Sequence, residues 1–174
     1  MPRPPADPEA AAREICLRLL TLAPKTRAQL AEALARKGIP EEVAERVLGR
    51  FTEVGLIDDE SFAQSWVRSR HTGKGLAPRA LSAELRRRGV ADETIKEAVG
   101  ELHPEELEET ARDLVTRKLT ATRSLDPDRR TRRLVGMLAR KGYSPGLAYR
   151  VVKDVLSEEG TDPDALPGNG FFDG

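Results

Sequence analysis

The fold is decided by a stretch that occurs three times along the chain, as Arg27-Ala-Gln-Leu-Ala-Glu-Ala-Leu-Ala-Arg-Lys-Gly38, Pro78-Arg-Ala-Leu-Ser-Ala-Glu-Leu-Arg-Arg-Arg-Gly89 and Thr131-Arg-Arg-Leu-Val-Gly-Met-Leu-Ala-Arg-Lys-Gly142. Each copy places a leucine eight residues and four residues before its glycine, and two basic residues directly before it. The glycines lie 51 and 53 residues apart. A period of this length predicts a chain of tandem repeats.

Each repeat is predicted to contain three helices. Leucines spaced by four lie one above the other on a helix and form its inward stripe, and a glycine after the last turn closes a helix in the left-handed conformation. A second helical pattern follows each glycine, and a further one precedes each pair, for example after the acidic start Asp58-Asp59-Glu60. The sequence therefore predicts an all-α fold of nine helices in three tandem helix-turn-helix-like repeats.

Proline and glycine mark both ends of the chain, where too little apolar surface is present to offset the entropy of ordering. We predict a disordered tail at each end, although the Phe171-Phe172 pair is a candidate docking motif. The predicted boundaries are a tail at 1–8, repeats at 9–57, 58–102 and 103–157, and a second tail at 158–174.

Charge alternates along the chain although the formal net charge is zero, with 29 basic and 29 acidic residues. From Arg68 to Arg88 there are seven bases against one acid, Glu84, whereas Asp92 to Glu109 holds eight acids against one base. From Arg112 to Arg133 the balance returns to eight bases against three acids. This pattern predicts basic and acidic faces on one molecule.

The residues give little support to catalysis. His71 and His103 lie far apart and lack neighbours at metal-ligand spacing, and Cys16 has no local partner that would make it a nucleophile. Gly73-Lys74-Gly75 lacks the upstream glycine of a phosphate loop and is interpreted as a flexible linker. We predict a non-enzyme without a cofactor, metal or catalytic residue. With no apolar run of about 18 residues and no apolar signal stretch at the start, we expect a cytoplasmic protein without a membrane segment.

Helical geometry distinguishes the arginines that precede Gly89. Taking about 100° per residue from Leu81 places Arg86 and Arg87 near 140° and 240°, away from the core. Arg88 returns to the core edge, where its stem covers apolar surface and its head meets the helix C-terminus. Arg86 and Arg87 are therefore candidate contact residues, with an ordinary solvated face as the alternative.

Two further basic patches are candidates for contact. One comprises Arg68, Arg70 and His71 and continues to Lys74. Its neighbour Trp66 is interpreted as a core residue, with a stacking platform for bases as the alternative. The other patch surrounds a helix start in the third repeat, where phosphate contact and plain solubility both remain open. The secondary candidates there are Arg123, Arg129, Arg130, Arg132 and Arg133.

The second repeat resembles the RecX family of bacterial recombination regulators. The resemblance is carried by Gly55-Leu56-Ile57-Asp58-Asp59, by Phe62-Ala63 with Trp66 and Arg68, by Gly73-Lys74-Gly75 with Pro78, and by Leu85-Arg-Arg-Arg-Gly89-Val90. It extends over about residues 15–156 and implies three-helix repeats in an elongated, curved molecule. It also implies binding along RecA filaments on single-stranded DNA, which lowers their ATPase, strand-exchange and coprotease activities. The third repeat departs from the pattern through a longer connection from Thr120 to Asp128.

The combined hypothesis is a monomeric regulator whose partners are the RecA filament and single-stranded DNA, with double-stranded DNA as a further candidate. Its predicted contact residues are Arg68, Arg70, Lys74, Arg86 and Arg87. Two other functional classes remain open: a stand-alone helical DNA-binding module, which would bind bare DNA in a salt-sensitive way, and a protein-interaction scaffold, whose filament binding would survive substitution of these cations.

Overall fold

Residues 2–161 are described by the computed structural model, and they form helices joined by short turns, with no strand among them. The predicted all-α class is confirmed. The helices are α1 (Pro8–Leu22), α2 (Arg27–Arg36), α3 (Glu41–Glu53), α4 (Asp59–Lys74), α5 (Pro78–Arg87), α6 (Asp92–Gly100), α7 (Pro104–Thr116), α8 (Leu119–Thr122), α9 (Pro127–Arg140) and α10 (Pro145–Thr161). None of them is long and apolar enough to cross a membrane.

Polar side chains begin several of these helices. Thr26 caps α2 in a full capping box, in which its hydroxyl accepts from the Gln29 amide and the Gln29 side chain accepts from the Thr26 amide. The Asp58 carboxylate accepts from the Ser61 amide at 3.0 Å at the start of α4, and Asp126 does the same for Arg129 at the start of α9. Each cap satisfies an amide that has no partner within its own helix, so these boundaries are set locally.

Ten helices are present in residues 2–161 where nine were predicted. The additional helix is α8, a single turn inside the long connection of the third repeat. The last helix, α10, continues through Thr161, four residues beyond the predicted end of that repeat. The remaining part of the predicted C-terminal tail, including Phe171-Phe172, lies outside the described residues.

The chain divides into two compact bodies. Body 1 contains the residues through Gly73 together with Leu81–Glu101, and body 2 contains Lys74–Ala80 together with the residues from Leu102 onward. Each body has an apolar core built by the leucine stripe of its glycine-anchored helices: Leu30 and Leu34 are fully buried in body 1, and Leu134 and Leu138 are 1% or less exposed in body 2.

Within each body, a glycine turn packs against the start of a helix from the preceding repeat. In body 1, the Thr26 hydroxyl donates to the Arg88 carbonyl at 2.6 Å, and a Cβ added at Gly89 would lie under 3.0 Å from Ala28 Cβ. In body 2, the Ala77 amide donates to the Lys141 carbonyl at 2.8 Å and the Arg79 amide to the Gly142 carbonyl at 3.3 Å. We call these two arrangements the glycine junctions.

The interpretation of Gly73-Lys74-Gly75 as a flexible linker is wrong. Gly73 and Lys74 form the end of α4. The carbonyls of Lys74 and Gly75 accept hydrogen bonds from residues of the third repeat. The buried Tyr143 hydroxyl donates to the Gly75 carbonyl at 2.9 Å, and Lys141 Nζ donates to the Lys74 carbonyl at 2.7 Å. Burial also raises the pKa of Tyr143 well above its ordinary value, so this hydroxyl stays a donor throughout the physiological pH range.

Candidate functional site

An aromatic and charged cluster joins α4 to α5 in body 1. Trp66 is half-buried rather than a full core residue, and its ring lies beside the ring of Phe62, with centroids 5.7 Å apart and planes inclined by 14°. The Arg88 guanidinium carbon lies 3.8 Å from the indole centroid, and that of Arg70 lies 5.7 Å away. We call Phe62, Trp66, Arg70, Glu84 and Arg88 the Trp66 cluster.

Glu84 is the centre of this cluster. Its carboxylate accepts from Trp66 Nε1 at 3.2 Å and from Arg70 Nε and Nη2 at 3.1 and 2.7 Å. Its backbone carbonyl accepts from Arg88 Nη1 at 3.0 Å, which is the helix C-terminal contact predicted for Arg88. Two-point pairing with a guanidinium fixes geometry as well as charge, so Glu84 orients both the indole and Arg70.

The cluster also fixes the charge of Glu84. Hydrogen bonding from Arg70, with smaller contributions from Trp66 and from the charges of Arg70 and Arg88, holds the pKa of Glu84 below its ordinary value of 4.5, although partial burial opposes this shift. A carboxylate with a lowered folded pKa stabilises the protein at neutral pH. That stabilisation is complete above the ordinary pKa and is lost as pH falls through the folded pKa.

Trp66 is the single tryptophan of the chain, so its fluorescence reports on this cluster directly. We expect the emission of the wild-type protein to change as pH falls below 4.5, because protonated Glu84 releases Arg70 and weakens the acceptor for the indole N–H. A Glu84→Gln variant should already show altered emission at pH 7 and should lack the acid transition. A transition of equal size in both proteins would show that another group controls the indole environment.

The outward face of α5 carries the predicted contact residues. Arg86 and Arg87 are exposed, whereas Leu81 and Leu85 are fully buried, as their angles on the helix predict. The Arg86 side chain is 64% exposed and lies 3.4 Å from the still more exposed Asp92. An ion pair of this kind contributes little to stability because both groups are solvated.

On α4 the predicted contact residues have different environments. Arg68 is exposed and lines an open depression of about 730 Å³ together with Ser65, Thr72 and Glu101. The Arg70 guanidinium forms an ion pair with the Glu84 carboxylate at 2.7 Å. His71 is buried, with 4% of its surface exposed, so it is not part of an exposed patch. Lys74 is exposed at the end of α4 and belongs to body 2, whereas the other four predicted residues belong to body 1.

The candidate arginines of the third repeat differ in side-chain exposure and in pairing. Arg130 is only 12% exposed in its side chain and makes a two-point ion pair with Glu159, with both nitrogen–oxygen distances at 2.9 Å. It also donates to the Leu119 carbonyl and the Thr122 hydroxyl, so it joins α8, α9 and α10. Arg123 lies 3.8 Å from the same Glu159 but is 62% exposed.

The other three arginines of this patch line one open cavity. Arg129, Arg132 and Arg133 surround a space of about 510 Å³ together with Leu125. All three are exposed, and within residues 2–161 none has a salt bridge within 4.0 Å. We call this feature the arginine cavity. Asp126 and Asp128 stand at the start of the same helix, but the lining of the cavity contains cationic donors and no acid, which suits an anionic oxygen ligand.

The metal-ligating and nucleophilic side chains of the described residues are not grouped together. No group of three or more histidine, cysteine, aspartate or glutamate side chains there is arranged to hold a metal ion. Cys16 is fully buried, and burial raises the pKa of its thiol, so the reactive thiolate is disfavoured.

Comparison with known proteins identifies the family. Residues 12–51 match the first three-helix domain of RecX, residues 58–99 match the second, and residues 105–152 match the third. The chain belongs to the RecX family. The second RecX domain contains the whole Trp66 cluster, and the third contains every arginine of the arginine cavity. The RecX resemblance and its three-helix repeats are thus confirmed.

Individual RecX proteins match along nearly the whole chain. Regulatory protein RecX of Streptomyces coelicolor is 63% identical over 168 residues, which cover 97% of this chain and 89% of that relative. Regulatory protein RecX of Thermobifida fusca is 59% identical over 160 residues, covering 92% and 86%. The crystal structure of RecX from Lactobacillus salivarius has a TM-score of 0.82 at 18% identity and covers 88% of this chain and 99% of its own, which extends the agreement to the fold.

Sequence reasoning missed the role of Glu84 in the RecX second domain. Its partners Trp66 and Arg70 lie on a different helix, 18 and 14 residues away in sequence. One signal pointed to it, since Glu84 is the single acid among seven bases between Arg68 and Arg88. An isolated acid within a basic segment is a candidate centre for a charge network.

Proposed function

We propose that this chain binds RecA filaments assembled on single-stranded DNA and lowers their ATPase, strand-exchange and coprotease activities. The single observation that carries the proposal is the match of all three RecX domains, in order, along the chain. In this proposal the protein acts in the cytoplasm as a monomer, and it acts by binding without catalysing a reaction.

The exposed arginines of body 1 are the proposed contacts with the filament. Arg68, Arg86 and Arg87 are exposed and lie on α4 and α5, the two helices that the Trp66 cluster holds together. Arg70 supports this surface as a positioning residue, because its guanidinium is paired with Glu84 at 2.7 Å. Lys74 remains a predicted contact in body 2.

The direct test titrates the purified protein into RecA on single-stranded DNA and follows ATP hydrolysis. We expect the wild-type chain to inhibit hydrolysis. Replacing Arg68, Arg86 and Arg87 together with alanine should raise the concentration needed for half-inhibition at least about tenfold, since the few interface residues that each contribute more than about 1 kcal/mol are enriched in arginine. Helical circular dichroism should be unchanged, because none of the three side chains is buried.

A matched control removes the same charge from elsewhere in body 1. Arg13, Arg36 and Arg50 are 51%, 70% and 72% exposed, and each pairs with a glutamate three or four residues away on its own helix. Their triple alanine variant should inhibit RecA as the wild type does. Equal inhibition by both triple variants would reject the assigned surface, and absence of inhibition by the wild-type chain would reject the proposed function itself.

A further inference from the structure

The repeats place equivalent positions in different environments. In the glycine-anchored alignment, Thr26, Ala77 and Arg130 are equivalent, as are Ala28, Arg79 and Arg132. Positions of the first two repeats form the glycine junctions: Thr26 donates to the Arg88 carbonyl, and Ala77 donates to the Lys141 carbonyl. The third repeat is the last of the three matched domains, and in residues 2–161 its junction position carries Arg130, which pairs with Glu159.

The junction position always presents hydrogen-bond donors to oxygen acceptors. In the first two repeats the acceptors are carbonyl oxygens, which carry only a partial negative charge, and the donors are a hydroxyl and backbone amides. The third repeat places arginines at the same positions. Arg130 turns inward to Glu159, while Arg132 and the adjacent Arg133 remain exposed and line the arginine cavity. Guanidinium donors suit oxygens that carry a full negative charge.

The charge surroundings separate this cavity from the arginine surface of body 1. Arg86 lies 3.4 Å from Asp92, and Glu101 lines the depression beside Arg68, so the body 1 surface has mixed charge. The arginine cavity is lined by three arginines and one leucine and by no acid. Mixed charge gives selectivity between protein surfaces, whereas a uniformly cationic site favours a polyanion.

We propose that the arginine cavity of the third repeat binds the phosphodiester backbone of a nucleic acid strand, while the body 1 arginines contact protein. This inference rests on the proposed function and deepens it by separating the two kinds of contact. Arg129, Arg132 and Arg133 bind phosphate oxygens, and these contacts carry no base specificity because only the backbone is recognised. Arg130 and Glu159 position the start of α9 and do not touch the strand.

The test measures binding of a fluorescent single-stranded oligonucleotide by anisotropy, in the absence of RecA and over a range of salt concentrations. Each phosphate neutralised on a single strand contributes about 0.7 to the slope of log affinity against log salt concentration. Replacing Arg129, Arg132 and Arg133 with alanine should therefore lower the magnitude of that slope by about 2, and the dissociation constant at low salt should rise by about tenfold or more.

Two variants serve as controls. Arg117, Arg140 and Lys153 are exposed residues of body 2, and replacing all three with alanine removes the same charge without touching the cavity. The body 1 variant with Arg68, Arg86 and Arg87 replaced should keep the wild-type salt slope. Both controls should bind the oligonucleotide as the wild type does.

Several results would overturn the inference. Equal losses in the cavity variant and the body 2 control would show a general effect of net charge. Competition by poly-glutamate as strong as competition by an unlabelled oligonucleotide would indicate an acidic protein segment as the ligand. Failure of the wild-type chain to bind the oligonucleotide would also reject the nucleic acid site, while ATPase inhibition, measured separately, would still decide the proposed function.

Discussion

Replacing Gly142 with alanine is expected to destabilise body 2 by about 3 kcal/mol, as the sum of backbone strain and overpacking. Gly142 has a φ of +99°, where a side chain is disfavoured. An added Cβ would lie under 3.0 Å from the Ala80 amide nitrogen and the Ala77 carbonyl oxygen. Both are backbone atoms, so relief requires the glycine junction itself to open.

Gly55 provides the control for this prediction. Its φ is +79°, and a Cβ there would meet no atom within 4 Å, so Gly55→Ala tests backbone strain alone and should cost about 1 kcal/mol. Urea unfolding followed by circular dichroism measures both variants. If the two substitutions were equally destabilising, the close packing at the Gly142 junction would have no energetic importance.

Replacing Arg130 with alanine is expected to lower the free energy of unfolding by about 2 kcal/mol, because the substitution removes hydrogen bonds to a charged, partly buried carboxylate. The substitution leaves the Glu159 carboxylate, only 18% exposed, without its two-point partner. It also removes the donor to the Leu119 carbonyl, so the single turn of α8 loses its link to α9. Thermal and urea unfolding should both show the loss.

Arg123 is the natural comparison, because it lies beside the same carboxylate. At 62% exposure and 3.8 Å from Glu159, it forms a solvated pair whose removal should cost less than about 1 kcal/mol. An Arg123→Ala variant as unstable as Arg130→Ala would mean that burial does not distinguish the two arginines. The Arg130→Ala variant should also bind a single-stranded oligonucleotide more weakly, because the substitution disturbs the start of α9, which carries the arginines of the arginine cavity.

Local sequence patterns predicted much of the helical structure. The leucines at Leu30 and Leu34, with their equivalents, formed buried stripes because helix geometry alone places residues four apart on one face. Thr26 and Gln29 form a capping box, which requires only residues close together in sequence. α8 was not predicted, since its four residues are too few to show periodicity and a side chain from α9 donates to its first carbonyl.

In the candidate sites, local patterns predicted the direction of a side chain on its own helix but not its contacts with other helices. Arg86 and Arg87 were placed outward correctly because their angle from Leu81 depends only on the helix. Arg70 was grouped with exposed cations, yet it pairs with Glu84 on another helix. The pairing depends on how α4 packs against α5, and a pattern along one helix carries no information about that packing.

By itself, the sequence determined the repeated glycine-anchored helices, their buried faces and the family to which the chain belongs, because each of these depends on residues within a few turns of one another. Only the tertiary structure decided which arginines are available for binding. Arg130 and Arg132 differ by two positions and look alike in sequence, but a helix turns about 200° over two residues. One guanidinium therefore pairs with the partly buried Glu159 while the other faces solvent, and burial and pairing depend on which neighbours the fold supplies.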